Sequence, residues 1–468
     1  MAGGPDSTSD LGTALARAVD LVVGYREGLD EARVTPTASR EEVRRALGDL
    51  PDGPARLEEV MDELVAAAAP GLMASAGPRY YGFVIGGSLD AALVADVLTS
   101  GWDQCAYNVA LSPAAIAFED VAGIWLKQLL GLPASASVGF ATGCQSANTI
   151  GLAVGRWHVL DRVGWNVARD GLHGAPRVKV VVGAERHATI DRATRLLGLG
   201  DSSLVEVPAR LDGSMDTGAL RDVLASAPDP TIVCAQAGNV NTGACDDLTA
   251  VVDAAHEAGA WVHVDGAFGL WAAASPRTAH LVRGVERADS WACDGHKWLN
   301  VPFDAGYAFC AHPDAHATAL AYTAAYLTGQ TAGREFGGGD FVPESSRRAR
   351  GFATWAALRS LGRSGVTDLV DRCCEIARLF AERLDALDGV EVVNSVVLNQ
   401  VLFRVGHAEL TDRLERAIQE DGTAWLGGTT WRGERLLRIA VSNWSTTADD
   451  VDRVVATIAR LRSELIAS

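Results

Sequence analysis

Asp289-Ser-Trp-Ala-Cys-Asp-Gly-His-Lys-Trp-Leu-Asn300 is the stretch that decides how this chain is read. Lys297 follows His296, after the small Asp294-Gly295 step and before the apolar Trp298. A lysine set among tryptophan, glycine and apolar neighbours is poorly solvated, which favours its neutral amine. A neutral amine attacks carbonyls and forms Schiff bases. The same lysine also fits a plainer role, a stem lying along a surface edge with its head in water. A second stretch, Ala260-Trp-Val-His-Val-Asp-Gly-Ala-Phe-Gly269, tips the balance. Its apolar run reads as a buried parallel strand ending in Asp265, and strand C-termini in such sheets present functional groups. A carboxylate there, with a lysine 32 positions later (297 − 265), suits pyridoxal phosphate (PLP). The lysine would hold the aldehyde, and the aspartate would keep the pyridine nitrogen protonated so that the ring withdraws electrons.

The chain has 468 residues, enough for two or three domains, and its 48% apolar content supports a large core. Its 41 basic and 59 acidic residues leave a net charge of −18, which argues against nucleic acid and anionic membranes as partners. Eight cysteines include no CxxC pair and no His-Cys cluster with zinc spacing, so no metal site is expected. Free thiols, no signal-peptide pattern in MAGGPDSTSD and no apolar run of membrane-spanning length point to a cytoplasmic protein.

Apolar positions at helical spacing predict a helix from Leu11 to about Ala32. Ser39-Arg-Glu-Glu42 opens a second by a capping box, and a third runs from about Ala55 to Ala68. This arm, residues 1–85, holds too little core to stand alone and should pack on another surface, such as a partner subunit. Gly77-Pro-Arg-Tyr-Tyr-Gly-Phe83 reads either as a packing patch or as the wall of a ligand pocket. Helices over Leu89–Ser100 and from Ser112-Pro113 to Leu130 follow. From Val138 to Cys310, short apolar strands alternate with helices, which predicts an α/β fold with a mostly parallel sheet covered on both faces. Candidate strands are 178–182, 203–207, 231–235, 261–264, 290–292 and 305–309. Residues 86–360 would form this large domain. A smaller α+β domain, 361–468, would hold strands at 390–393, 401–405 and 436–440 and helices at 411–420 and 447–464.

Several loops at strand ends could touch a ligand. Thr142-Gly-Cys-Gln-Ser-Ala-Asn148 opens a helix, and free N–H groups with a positive dipole end make a phosphate seat, although any helix start looks similar. Glu185-Arg-His187 follows a strand, where a histidine either serves structure or stacks on a planar ring. The Asn- and Gly-rich 237–247 suits a close approach to a ligand. In the order phosphate loop, histidine, aspartate, lysine, these are hard to obtain by chance.

Together these residues resemble the group II PLP-dependent amino acid decarboxylases of fold type I. The resemblance runs from Val34-Thr-Pro36 and Pro78-Arg-Tyr-Tyr-Gly82 through Ser112-Pro-Ala-Ala115, His263-Val-Asp-Gly-Ala267 and His296-Lys-Trp298 to Ser346–Trp355. It implies a seven-stranded sheet, Lys297 as the Schiff-base lysine, Asp265 as partner of the ring nitrogen, Ala267 beneath the ring and His187 stacked on it. It puts Gly143, Cys144, Gln145, Asp294 and His296 around the phosphate. It also implies a mobile loop whose tyrosine, here Tyr326, protonates the α-carbon after carbon dioxide leaves; the plainer alternative is that Tyr326 only packs. A homodimer with a shared active site is implied, with Tyr80, Tyr81, Phe83 and Trp102 on the substrate side. The chain departs from the family pattern at Gly266, where alanine is usual, and at Asp294, where asparagine is. Its phosphate loop also has Gln145-Ser146 where Ser-Glu is frequent.

The expected reaction is decarboxylation of an L-amino acid to its amine, and the aromatic cluster leans towards an aromatic or bulky substrate. The rivals are an aminotransferase, a carbon–carbon lyase or an aldehyde-forming decarboxylase on the same scaffold, and a non-catalytic binding protein. A dehydrogenase is disfavoured because no GxGxxG opens the sheet.

Overall fold

The computed structural model describes residues 8–225, 230–321 and 337–467. Seven strands build the main sheet: β1 (Ser137–Ala141), β2 (Lys179–Gly183), β3 (Leu204–Val207), β4 (Thr231–Gln236), β5 (Trp261–Asp265), β6 (Ser290–Asp294) and β7 (Gly306–Cys310). Their order is β1-β7-β6-β5-β4-β2-β3. Val180–Val182, Ile232–Ala235 and Val262–Val264 are buried along their length, as strands covered on both faces must be. Strands β2 to β6 pair in parallel, and β7 is antiparallel to both of its neighbours, β1 and β6. Because β7 is inverted between them, β1 and β6 again point the same way. The C-terminal ends of β1, β4, β5 and β6 therefore share one edge of the sheet, where ligands bind in such folds. Gly306 pairs with Ala141 on one side and Asp294 on the other. A Cβ on Gly306 would stand 2.4 Å from Gly143 Cα, so its absence lets the turn after β1 settle against β7.

The helices up to this turn are α1 (Thr8–Glu27), α2 (Arg40–Leu47), α3 (Leu57–Ala68), α4 (Asp90–Trp102), α5 (Pro113–Leu130) and α6 (Cys144–Asp161). Ser39 and Glu42 form the expected capping box on α2, and the Ser112 hydroxyl caps α5 by accepting from Ala115 N–H at 3.2 Å. Helix α1 leaves Leu11, Leu15, Val19, Val22 and Val23 between 41% and 55% exposed, an apolar stripe along one helix.

Helical residues run from Gly351 to Asp385, interrupted at Gly362 by φ 60°, ψ −177°. Beyond it lies an antiparallel sheet of β8 (Val390–Val392), β9 (Gln400–Val405), β10 (Gly427–Trp431) and β11 (Glu434–Ala440), in the order β10-β11-β9-β8. Strand β10 was not expected, since Gly427-Gly-Thr-Thr has no apolar alternation. It forms because Arg432 and Gly433 (φ 52° and 79°) make a two-residue turn whose twist matches a hairpin. One buried cluster joins the two sheets through residues such as Val264, Leu270, Trp298, Phe380 and Leu437. Trp298, 1% exposed, anchors the segment after β6; burying an indole contributes about 4–6 kcal/mol. Among the described residues no helix is long and apolar enough to cross a membrane.

Candidate active site

The parallel edge opens into a cleft of ≈ 170 Å³, lined by Phe83, His187, Gln236, Asp265, Lys297 and Arg438 among others. Asp265 ends β5, beside Gln236 of β4 in register. Its carboxylate accepts from Ala267 N–H at 3.2 Å and Asn148 Nδ2 at 3.0 Å, and the Cys144 thiol reaches it at 3.6 Å. Cys144 therefore presents its side chain to Asp265 and only its backbone to the helix start. Its thiol is held protonated, chiefly by burial and then by the charges of Asp265 and Asp294.

Asp294 ends β6 with its side chain 2% exposed and sits at the centre of the polar groups. Oδ1 accepts from Cys144 N–H at 2.6 Å, at the N-terminus of α6, and lies 3.6 Å from His296 Nε2. Oδ2 is 3.1 Å from Lys297 Nζ. This corrects one expectation from the sequence. Burial does press Lys297 towards the neutral amine, but Asp294, with Cys144 and Asp265, outweighs it and raises the amine's pKa above the ordinary lysine value. Lys297 is an ammonium paired with Asp294.

His187 caps the helix Ala188–Leu196: its Nδ1 accepts from Thr189 N–H at 3.3 Å, which leaves Nε2 to carry the hydrogen. Burial lowers its pKa, so the ring is neutral. The pKa of His296 is lowered by burial too; its Nδ1 accepts from Ala305 N–H at 3.2 Å and its ring packs on Phe303. Gln145 turns away from the cleft, donating to Thr189 O at 3.2 Å. The space between Gly143 and His296 admits no side chain, since a Cβ on Gly143 would meet His296 Cε1 at 3.0 Å.

The four aromatic residues expected on the substrate side divide. Phe83 lines the cleft, 61% exposed and held at φ 54°. Tyr80 lies behind it in a stack of three rings, Tyr80–Trp425 at 5.1 Å and Phe83–Trp425 at 5.6 Å. Gly82 makes the stack possible, for a Cβ there would stand 1.8 Å from Trp425 Cζ3. Tyr81 is buried against Phe380 and does not line this cleft. Trp102 does not either: it lies on α4, half-exposed and edge-on to Phe352. Tyr326 lies outside the described residues.

Gly238 and Val240 line the cleft from the 237–247 loop, whereas sequence reasoning missed Arg438, Gln236 and Trp425. Arg438 lines the cleft from β11 and donates to Val240 O at 2.6 Å; burial depresses its pKa to about 10. Its one sequence signal is an arginine inside the apolar strand Leu436-Leu-Arg-Ile-Ala440. Trp425 had none, because only the fold brings it to Phe83.

This donor set fits PLP. A carboxylate stands ready for a cationic ring nitrogen, an amine for an aldehyde, and a flat imidazole and the small Ala267 for the two faces of a ring. At the helix start, the N–H groups of Gln145 and Ser146 have no intrahelical carbonyl to bond. The one discordant group is Asp294, a second anion at the place where a phosphate would lie.

Comparison with known proteins agrees. The family described as the pyridoxal-dependent decarboxylase conserved domain matches residues 40–406. Tryptophan decarboxylase 1 of Oryza sativa subsp. japonica is 27% identical over 94% of this chain and 91% of its own. The aromatic-L-amino-acid decarboxylase of Bacillus atrophaeus is 25% identical over 96% and 95%, and the 4-hydroxyphenylacetaldehyde synthase of Rhodiola rosea 26% over 96% and 94%. The crystal structure of the Oryza sativa enzyme with PLP and tryptamine superposes with a TM-score of 0.92, at 26% identity and covering 99% of each chain. The chain belongs to the pyridoxal-dependent decarboxylase family. It is a PLP-dependent carboxy-lyase acting on an amino acid.

Proposed function

We propose that the substrate is an aromatic or bulky L-amino acid, released as its amine, and that Lys297, Asp265, His187 and Arg438 carry the work. The observation that carries this reading is the wall of the cleft: the Tyr80–Trp425–Phe83 stack ends in an exposed ring, with Val84, Val240 and Phe268 beyond it. Aromatic side chains offer a flat substrate contact area at low entropy cost. Lys297 is committed to Asp294, which leaves Arg438 as the cation for a substrate carboxylate; among the described residues no acidic side chain pairs with it. One such cation suits a substrate with a single carboxylate better than a dicarboxylic one.

When bound, PLP supplies an electron-withdrawing ring that accepts the electron pair left as carbon dioxide departs. The chain's own residues do the rest. Asp265 offers a carboxylate to the ring nitrogen, His187 covers one face as a neutral ring, and Lys297 provides the amine that holds the aldehyde. Arg438 orients the carboxylate, and the apolar wall keeps water from the reacting carbon. Tyr326 is the proposed donor of the proton that replaces carbon dioxide. Gly143, Cys144, Gln145 and His296 would surround the phosphate.

The apolar stripe on α1 and the exposed Phe83 and Phe303 support a homodimer, and the free, mostly buried cysteines suit a cytoplasmic setting. Residues 1–85 would then serve as the dimerisation arm, with the break at Gly362 near the border of a large and a small domain.

The test is product analysis of the holoenzyme with L-tryptophan, L-tyrosine and L-glutamate. Carbon dioxide with an equal amount of amine from the aromatic acids, and little from glutamate, is expected. Turnover of glutamate alone would sink the substrate reading. Tyr326→Phe should lower the yield of amine per carbon dioxide released, and a variant that still yields mainly amine would remove Tyr326 from its role.

A further inference from the structure

Beneath Asp265 lies a row of polar side chains that the chemistry above leaves unused. Asn148 on α6 donates from Nδ2 to Asp265 Oδ2 at 3.0 Å and to Thr189 Oγ1 at 3.1 Å. Its Oδ1 is 2.9 Å from His263 Nε2. His263 Nδ1 is 2.9 Å from Ser290 Oγ, which is 3.0 Å from Trp261 Nε1. Asn148, His263 and Ser290 are completely buried, and Trp261 and Asp265 nearly so.

The ends of this row fix its direction. A carboxylate only accepts, so Asn148 must face Asp265 with its NH₂ and turn its carbonyl to His263. An indole N–H only donates, so Ser290 accepts from Trp261 and gives its own hydrogen to His263 Nδ1. His263 is left as the neutral tautomer with its hydrogen on Nε2. The other tautomer would set two acceptors against each other at 2.9 Å and leave buried groups unpaired, at a cost of about 1–3 kcal/mol. The room for the ring comes from Gly151 on α6, where a Cβ would stand 2.4 Å from both Cε1 and Nδ1 of His263. Burial pushes the His263 pKa down to about 4, in keeping with a neutral ring.

We propose that His263, acting through Asn148, is a positioning residue that orients Asp265 and holds it as an acceptor for the cationic ring nitrogen of PLP. This rests on the reading of Asp265 as that nitrogen's partner. Without a donor at 263, the Asn148 amide is free to turn, and its oxygen would then confront the Asp265 carboxylate. His263 touches neither substrate nor cofactor in this account.

The first test needs no variant. In ¹⁵N-histidine spectra of the cofactor-free protein between pH 8 and pH 5, His263 should stay neutral with its hydrogen on Nε2. A hydrogen on Nδ1, or a ring that protonates within that window, overturns the proposal. The second test compares His263→Leu, His263→Gln and Asp265→Asn as holoproteins, by PLP dissociation constant and by the pH dependence of the bound cofactor's visible absorbance. His263→Leu should weaken PLP roughly ten- to a hundredfold and move the absorbance profile in the same direction as Asp265→Asn. His263→Gln, whose amide can still donate to Asn148, should restore both. If Asp265→Asn changes both readouts and His263→Leu neither, the relay is refuted while the role of Asp265 stands. If Asp265→Asn changes neither, the reading of Asp265 falls and the relay with it.

Discussion

Replacing Asp294 by asparagine would remove one charge from the centre of the site and little else. The amide keeps Oδ1, so Cys144 N–H retains the acceptor it now has at 2.6 Å. What disappears is the negative partner 3.1 Å from Lys297 Nζ, in a pair whose side chains are 2% and 20% exposed. At an effective dielectric constant near 20, unit charges at that separation attract by about 5 kcal/mol. Deleting one partner of a buried pair costs about 3–5 kcal/mol while the other stays charged. Lys297 can limit the loss by releasing its proton, which from an ordinary lysine pKa costs about 4 kcal/mol at pH 7.5. Burial opposes the ammonium and reduces that figure, so a net destabilisation of about 2–4 kcal/mol is expected. The sign with pH follows from the raised pKa of Lys297. Stability from the pair is fully present below the unfolded lysine pKa and is lost as pH rises through the higher folded value. In the variant a neutral Lys297 faces an unfolded lysine that is still charged, so variant stability rises with pH, and the gap should narrow steadily from pH 7.5 upward and close near the unfolded lysine pKa. Urea unfolding of the cofactor-free proteins measures the gap, and the pH dependence of PLP uptake reports the amine, which should react faster at pH 7.5 in the variant. Unchanged unfolding midpoints together with an unchanged uptake profile would refute the pairing of Asp294 with Lys297.

Gly266→Ala should destabilise by about 1–3 kcal/mol, because the new Cβ would stand 2.6 Å from Leu270 Cβ; a thermal unfolding midpoint equal to that of the wild type would contradict this. Trp425→Ala removes the middle ring of the stack and should raise KM for an aromatic substrate about five- to tenfold with a smaller change in kcat, each stacked pair contributing about 0.5–1.5 kcal/mol. On the acid side, His263 and His316 have pKa values lowered by burial to about 4 and about 3. The stability of keeping them neutral is complete above pH 6.5 and is lost on acidification towards those values, about 3 kcal/mol for His263 alone by pH 4. Urea midpoints that stay level from pH 7 to pH 4 would contradict this.

The parallel sheet was legible because its strands are short, continuous apolar runs, such as Val180–Val182 and Ile232–Ala235, that need no partner to be recognised. Asp265 stood out because it breaks an apolar stretch at its C-terminal end, and Lys297 because a cation falls between the small Asp294-Gly295 step with His296 and the apolar Trp298. Strand β10 was hidden because its formation depends on the backbone of Arg432-Gly433 and on pairing with β11, and neither leaves a periodic trace in Gly427–Trp431. Local surroundings also gave the wrong charge for Lys297. Burial could be read from its neighbours, but the outcome turned on where the Asp294 carboxylate points, and β6 and α6 settle that together. Tyr81 and Trp102 show the same limit from the other side, since an aromatic cluster in sequence does not say which rings face a cavity.

The ring stack at the mouth has a consequence for how the molecule is made. Phe83 and Trp425 meet across a sequence separation of 342 (425 − 83), and Arg79 beside them donates to the carbonyls of Thr423 and Ala32. One wall of the cleft thus joins an early segment of the chain to a very late one. During synthesis the main sheet, with Asp265 and Lys297 at its edge, can assemble while that wall is still absent. The cleft gains its Trp425 and Arg438 side only when the last part of the chain has been released, so a nascent or truncated chain would leave Lys297 more open to solvent.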